Sequence, residues 1–136
     1  MADVATALFT RLSSDTEIAA VVVSGGKKRI YPTIVPQKTP RPYIRYQTIS
    51  DPRPEDLDDY TTSRVVRFQL DCFADTYLAA RDLAERVINA TSSPATVDGV
   101  VFGRTKAEGP RDLGEDVAGT WIHRASLDLL VEFRLV

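Results

Sequence analysis

The sequence predicts an α+β fold: a mainly antiparallel sheet of four to five strands with two main helices packed on one face. Three observations carry that expectation. In residues 64–74, Val66, Phe68, Leu70 and Cys72 alternate with Arg67, Gln69 and Asp71. This is the period of a strand with one apolar and one wet face. After Ala74 the period becomes helical, and Ala80, Leu83, Ala84, Val87 and Ile88 form one apolar stripe. In residues 121–135 the alternation is longest, with Trp121, His123, Ala125, Leu127, Leu129, Val131, Phe133 and Leu135 on one side. Ile122, Arg124, Ser126, Asp128, Leu130, Glu132 and Arg134 fall on the other. The last strand is expected to pair with both residues 100–106 and the strand that opens at Arg64.

Taken in order, residues 2–12 read as a helix, because Val4, Ala5, Leu8, Phe9 and Leu12 share a stripe and Asp3 and Arg11 suit the ends of the helix dipole. Ser13, Ser14 and Asp15 break it and start a second short helix through Ile18 to Val22, which Gly25 and Gly26 end. Lys27 and Lys28 make a basic turn into a short strand at Arg29, Ile30 and Tyr31. Pro32, Pro36, Pro40 and Pro42 then punctuate an extended connection along a sheet edge or the surface. Residues 43–50 form a strand with bulk on both faces, which leaves its inward face open. Residues 51–63 carry Asp51, Glu55, Asp56, Asp58 and Asp59 with two prolines and read as a solvated loop, longer than a hairpin turn requires. Asp75 or Thr76 caps the helix that follows the Arg64 strand, and Ser92, Ser93 and Pro94 stop it. Asp98 and Gly99 turn into the strand at residues 100–106, and residues 109–119 (GPRDLGEDVAG) read as a second polar loop. No repeat or linker interrupts the chain, so residues 1–136 are expected to form a single domain.

Composition narrows the function classes. The chain has 136 residues, 43% hydrophobic and 26% charged, which are globular proportions, and a formal net charge of −2. A dedicated nucleic-acid binder would carry a basic excess. One cysteine, Cys72, permits no intrachain disulfide, and its place on the apolar face predicts a packed thiol. A single cysteine and a single histidine, His123, exclude a zinc cluster. No basic, apolar secretory leader and no apolar run of membrane-spanning length is visible. No metal or cofactor is expected.

Nor does the sequence assemble a catalytic set. His123 points away from Ser126 and Asp128 on a regular strand, which opposes a local triad. Gly25-Gly26-Lys27-Lys28 lacks the spacing of a phosphate loop, and residues 51–59 lack the pattern of a calcium loop. The basic cluster Lys27, Lys28 and Arg29 and the acidic residues Asp56, Asp58 and Asp59 are opposite charges on one small domain, which suits head-to-tail self-association.

Three blocks in order then carry a resemblance: IYPTIVPQKTPRPYIRYQTIS at residues 30–50, RVVRFQLDCFADTYLAARDLAERV at residues 64–87, and the final LLVEFRLV. Tyr31-Pro32, Pro36, Pro42-Tyr43-Ile44, Tyr46, Gln69, Asp71 and Leu83 stand at the places where the pattern is shared. Together they resemble the tail-completion, or tail-terminator, proteins of long-tailed phages and gene transfer agents. The resemblance implies a structural virion protein rather than an enzyme, one that caps the tail tube as a hexameric ring, ends its polymerisation and joins the head. The partners implied are further copies of itself, the tail tube protein, a head-side neck or connector protein, and DNA that crosses the channel without specific binding. The place implied is the tail–head junction of a virion, after synthesis in the host cytoplasm. A head-side neck protein and a non-viral α+β binding module are the alternatives. Loop length and charge nominate the assembly contacts: Asp56, Asp58, Asp59 and Tyr60 in one loop, Arg111, Asp112, Glu115 and Asp116 in the other, and the basic Lys27, Lys28 and Arg29.

Overall fold

The computed structural model describes residues 3–53 and 63–136. Among them run three helices, α1 (Val4–Ser14), α2 (Thr16–Val22) and α3 (Tyr77–Thr91). The strands are β1 (Val23–Ser24), β2 (Lys27–Lys28), β3 (Ile30–Pro32), β4 (Tyr43–Ser50), β5 (Arg64–Ala74), β6 (Ala95–Val97), β7 (Val100–Val117) and β8 (Thr120–Leu135). β1 and β2 form a separate hairpin, and the other six make one curled sheet in the order β3-β4-β5-β8-β7-β6.

The helices begin where capping chemistry places them. Asp3 accepts from the Thr6 backbone N–H at 3.0 Å and opens α1. Asp15 ends α1 and opens α2, its carboxylate accepting from Glu17 N and Ile18 N, both at 3.0 Å. One residue thereby serves two helix ends and fixes the bend between them. Of the two candidates for α3, Thr76 is the cap, accepting from Ala79 N at 3.1 Å. The buried stripes are Val4, Ala7, Leu8 and Leu12 on α1, Ile18 and Val22 on α2, and Ala80, Leu83, Ala84 and Val87 on α3.

These stripes meet the inward face of the sheet in one hydrophobic core. Register across the strands explains why it is continuous. Ile44 lies opposite Cys72, and Tyr46 opposite Leu70. Phe68, Leu70 and Cys72 lie opposite Leu129, Leu127 and Ala125, and Phe102 lies opposite Phe133. The inward face of β4, open from sequence, is therefore Ile44 and Tyr46. β8 pairs with both β5 and β7, as the alternation predicts. Cys72 is fully buried, and burial pushes its thiol far above the ordinary cysteine range, so it packs as a small apolar group.

Several expectations need correction. The sheet is mixed, because β3 runs parallel to β4, with Ile30 opposite Ile44 and Pro32 opposite Tyr46. Residues 33–42 are long enough to carry the chain back to the start of β4, so it re-enters in the same direction. The main sheet has six strands and the fold three helices, against the four to five strands and two main helices expected; the third, α2, is the short helix that the sequence places before Gly25. Lys27 and Lys28 form the second strand of a hairpin whose turn residues Gly25 and Gly26 have φ of 58° and 76°.

The segment 109–119 is no loop. β7 continues to Val117 and pairs with β8 down to Val117 opposite Thr120, with a bulge between Glu108 and Arg111. The connection is a two-residue turn, Ala118 and Gly119, both at positive φ (52° and 85°). Its strand character comes from the hydrogen-bond ladder to β8, because neither of its faces reaches the core. Beyond Phe102 the outer edge of β7 has no partner strand among the described residues. At the ends of β8, Trp121 and Leu135 are exposed rather than inward.

Candidate assembly surface

Two surfaces stand out beyond the core. The first is the sheet face that no helix covers among the described residues. Odd-numbered residues of β5 and even-numbered residues of β8 point there, and the register sets Asp71 between Arg45 of β4 and Ser126 of β8. Asp71, expected on a wet face, is completely buried by its neighbours. Arg45 Nη2 donates to Asp71 Oδ2 at 2.7 Å, Gln69 Nε2 approaches both carboxylate oxygens at 3.3 and 3.4 Å, and Arg124 Nε lies 4.0 Å from Oδ1. The same arginines cover Phe73, with guanidinium carbons 5.4 and 5.9 Å from its ring centre, and Tyr43 stacks on it at 4.8 Å. Further along, Arg67 donates to Asp128 at 2.7 Å and to Glu108 at 3.4 Å, and Arg111 reaches the other Asp128 oxygen at 3.3 Å. The hydrogen bonds to Asp128 and Glu108 raise the Arg67 pKa further above its already high ordinary value. This face is a lattice of paired charges held rigid by strand register.

The second surface is the far end of the β7–β8 hairpin. β5 stops at Ala74, opposite His123, so the pairs Glu115–Ile122, Asp116–Trp121 and Val117–Thr120 extend past it as a two-stranded arm. Leu113, Val117 and Trp121 are exposed on the arm and its root, and Tyr77 and Leu78 are exposed at the start of α3. Between arm and helix lies an open cleft lined by Tyr77, Asp112, Gly114, Trp121 and His123. His123 stands edge-on to both aromatic rings, with centroids 6.5 Å from Tyr77 and 6.3 Å from Trp121. Arg81 donates to Asp112 at 2.8 Å and ties helix to arm.

Gly114 makes the cleft possible. A Cβ there would lie 2.5 Å from Trp121 Cζ2 and 2.7 Å from Cε2. Gly114→Ala is expected to push the indole off the arm, at a cost in stability within about 1.5 kcal/mol because the ring already faces solvent. Trp121 is the chain's single tryptophan, so its fluorescence reads this directly. A red-shifted emission maximum is expected, and an unchanged spectrum would refute the packing described.

The nominated contact residues separate into groups. Asp56, Asp58, Asp59 and Tyr60 lie outside the described residues. Arg111 and Asp112 are exposed but engaged in the ion pairs above. Glu115 and Asp116 are exposed on the arm, and Lys27 and Lys28 on the β1–β2 hairpin. Arg29 turns inward instead. It is buried and donates to Pro42 O at 2.9 Å, Ser24 Oγ at 2.6 Å and Val21 O at 2.9 Å, so it ties α2 and the hairpin to β4. Sequence reasoning missed the aromatic cleft, although an exposed Trp121 two residues past a Gly119 turn is a readable sign of a hairpin tip. His123 lies on the helix side of β8 and the buried Ser126 on the other, where Arg111 donates to its Oγ at 3.3 Å, so they share no site.

Comparison with known proteins follows this geometry. The family described as Tail completion protein gp17 matches residues 6–131. A chain of the solved structure "Virion of native gene transfer agent (GTA) particle" superposes with a TM-score of 0.61 at 18% identity, covering 96% of this chain and 92% of that one. At that identity the likeness is one of fold. No curated protein matches the sequence.

Proposed function

Because the chain belongs to the tail completion protein family, we propose that it is the terminator of a virion tail: a ring, hexameric in our reading, that seats on the finished tube, stops its growth and presents the surface that meets the head. The observation that carries this reading is the family match, which runs from the first turn of α1 through most of β8. The geometry suits it. A terminator works by presenting rigid surfaces, and here strand register locks one face into paired charges while a short arm offers an exposed indole, Trp121. Residues 1–136 act as one domain in this reading, and its chemistry is contact rather than catalysis. The partners are further copies of the chain, the tube protein and a head-side neck protein, and the DNA that passes through makes no specific contact.

Purified tubes assembled without this protein test the proposal. Added protein should decorate one end of each tube in negative-stain images and arrest further elongation. Binding along the tube walls, or no binding, would refute it. Binding to tail-less heads in place of tube tips would move the protein to the head side of the joint.

A further inference from the structure

We propose that the tip of the β7–β8 arm docks on the β1–β2 hairpin of a second copy of this chain. The contact deepens the ring reading above and rests on it for closure. Charge is the first argument. Glu115 and Asp116 are consecutive on the arm, and Lys27 and Lys28 consecutive on the hairpin, so each tip carries one charge on either face of its ribbon, and none of the four has an ion-pair partner among the described residues. Nearby charges are neutralised within the chain: Arg45 by Asp71 and Arg67 and Arg111 by Asp128 on the open face, and Arg81 of α3 by Asp112 on the helix side. Two tips of opposite sign, each without a partner of its own, attract one another, and one contact pairs both.

Shape and apolar area agree. Both tips are two-residue turns, and a Cβ built on Gly25, Gly26 or Gly119 would meet nothing within 4 Å, so backbone can approach backbone closely. Val117 and Trp121 flank the acidic pair, 47% and 54% exposed. On the receiving side Lys28 Nζ lies 5.7 Å above the Phe9 ring, which gives that cation an aromatic floor. The two tips belong to different parts of the sheet. The hairpin leads directly into β3, the first strand of the sheet order, whereas the arm belongs to β7 and β8, beyond β4 and β5. A contact between two unlike surfaces of one chain is heterologous, and repetition of such a contact closes into a ring when the rotation permits.

Charge exchange tests this. Glu115→Lys with Asp116→Lys, and separately Lys27→Glu with Lys28→Glu, should each weaken self-association at least about tenfold by sedimentation equilibrium, and all four changes in one chain should restore it to within a few-fold. The milder Glu115→Gln with Asp116→Asn should weaken it without reversing the charge, which covers a failure of the lysine variant to fold. Raised salt should weaken the wild type and leave the neutral variant less affected. Failure of the combined variant to recover, self-association unchanged by either doublet, or a wild type monomeric at every concentration would each overturn the proposal. Charge-dependent rings that leave tube ends bare would overturn the terminator reading and leave this contact standing. Tube capping at wild-type level by both charge-reversed variants would overturn the contact alone.

Discussion

Phe68→Ala is expected to cost about 3–5 kcal/mol of folding stability, the range for deleting a fully enclosed aromatic side chain. Phe68 is wholly buried at the middle of β5, with Thr48 opposite on β4 and Leu129 opposite on β8. Strands hydrogen-bonded on both sides cannot shift to close the space, so the cavity persists. Urea unfolding should show a midpoint lowered with an unchanged slope. Val65→Ala is the internal control: the side chain lies on the same strand but is 48% exposed, and its loss should stay within about 0.5 kcal/mol. A loss below about 1 kcal/mol for Phe68→Ala would mean that the sheet does not pack against the helices as described.

Asp71→Ala is expected to rank next, at about 3 kcal/mol, although alternation along β5 marks the position as solvent-facing. The carboxylate is fully buried, and removing it leaves Arg45 and Arg124 facing each other without the charge between them. The Nε atoms of both arginines already lack hydrogen-bond partners, so neither has a substitute at hand. Asp71→Asn keeps the volume and one acceptor and should cost less. A double-mutant cycle with Arg45→Ala should give a coupling of about 1 kcal/mol or more, and independence of the two sites would show that the pair is ornamental to the fold.

These two residues mark what sequence alone could and could not disclose. Phe68 was legible because hydropathy alternates along its own strand, and the same signal placed β4, β5, β8 and α3. Asp71 was not, because its burial comes from Arg45 on β4 and Arg124 on β8, distant in the chain and charged themselves. The arm escaped for the opposite reason. Residues 111–117 carry no apolar alternation since neither side of them meets the core, and composition with Gly109, Pro110 and Gly114 then imitates a loop. The one indirect sign was β8 itself, since a strand that long needs a partner of comparable length. The direction of β3 was hidden as well, because no residue pattern distinguishes a connection that reverses the chain from one that carries it back. Of the nominated contacts, Lys27, Lys28, Glu115 and Asp116 emerged exposed, whereas Arg29 proved to be a buried tie.

The bare outer edge of β7 bears on how such a protein survives before it is used. In the terminator role proposed above, copies of the chain would wait together until a finished tube end is ready. An exposed strand edge is then a hazard, because identical copies can zip together into insoluble fibres. Here the edge is interrupted by bulges after Phe102 and after Glu108, Pro110 offers no N–H, and Arg104, Lys106, Glu108 and Arg111 crowd it with charge. Backbone zippering between waiting copies is thereby disfavoured. The proposed arm-to-hairpin contact would join them through side chains instead, and such contacts are reversible and so compatible with correcting a misplaced subunit.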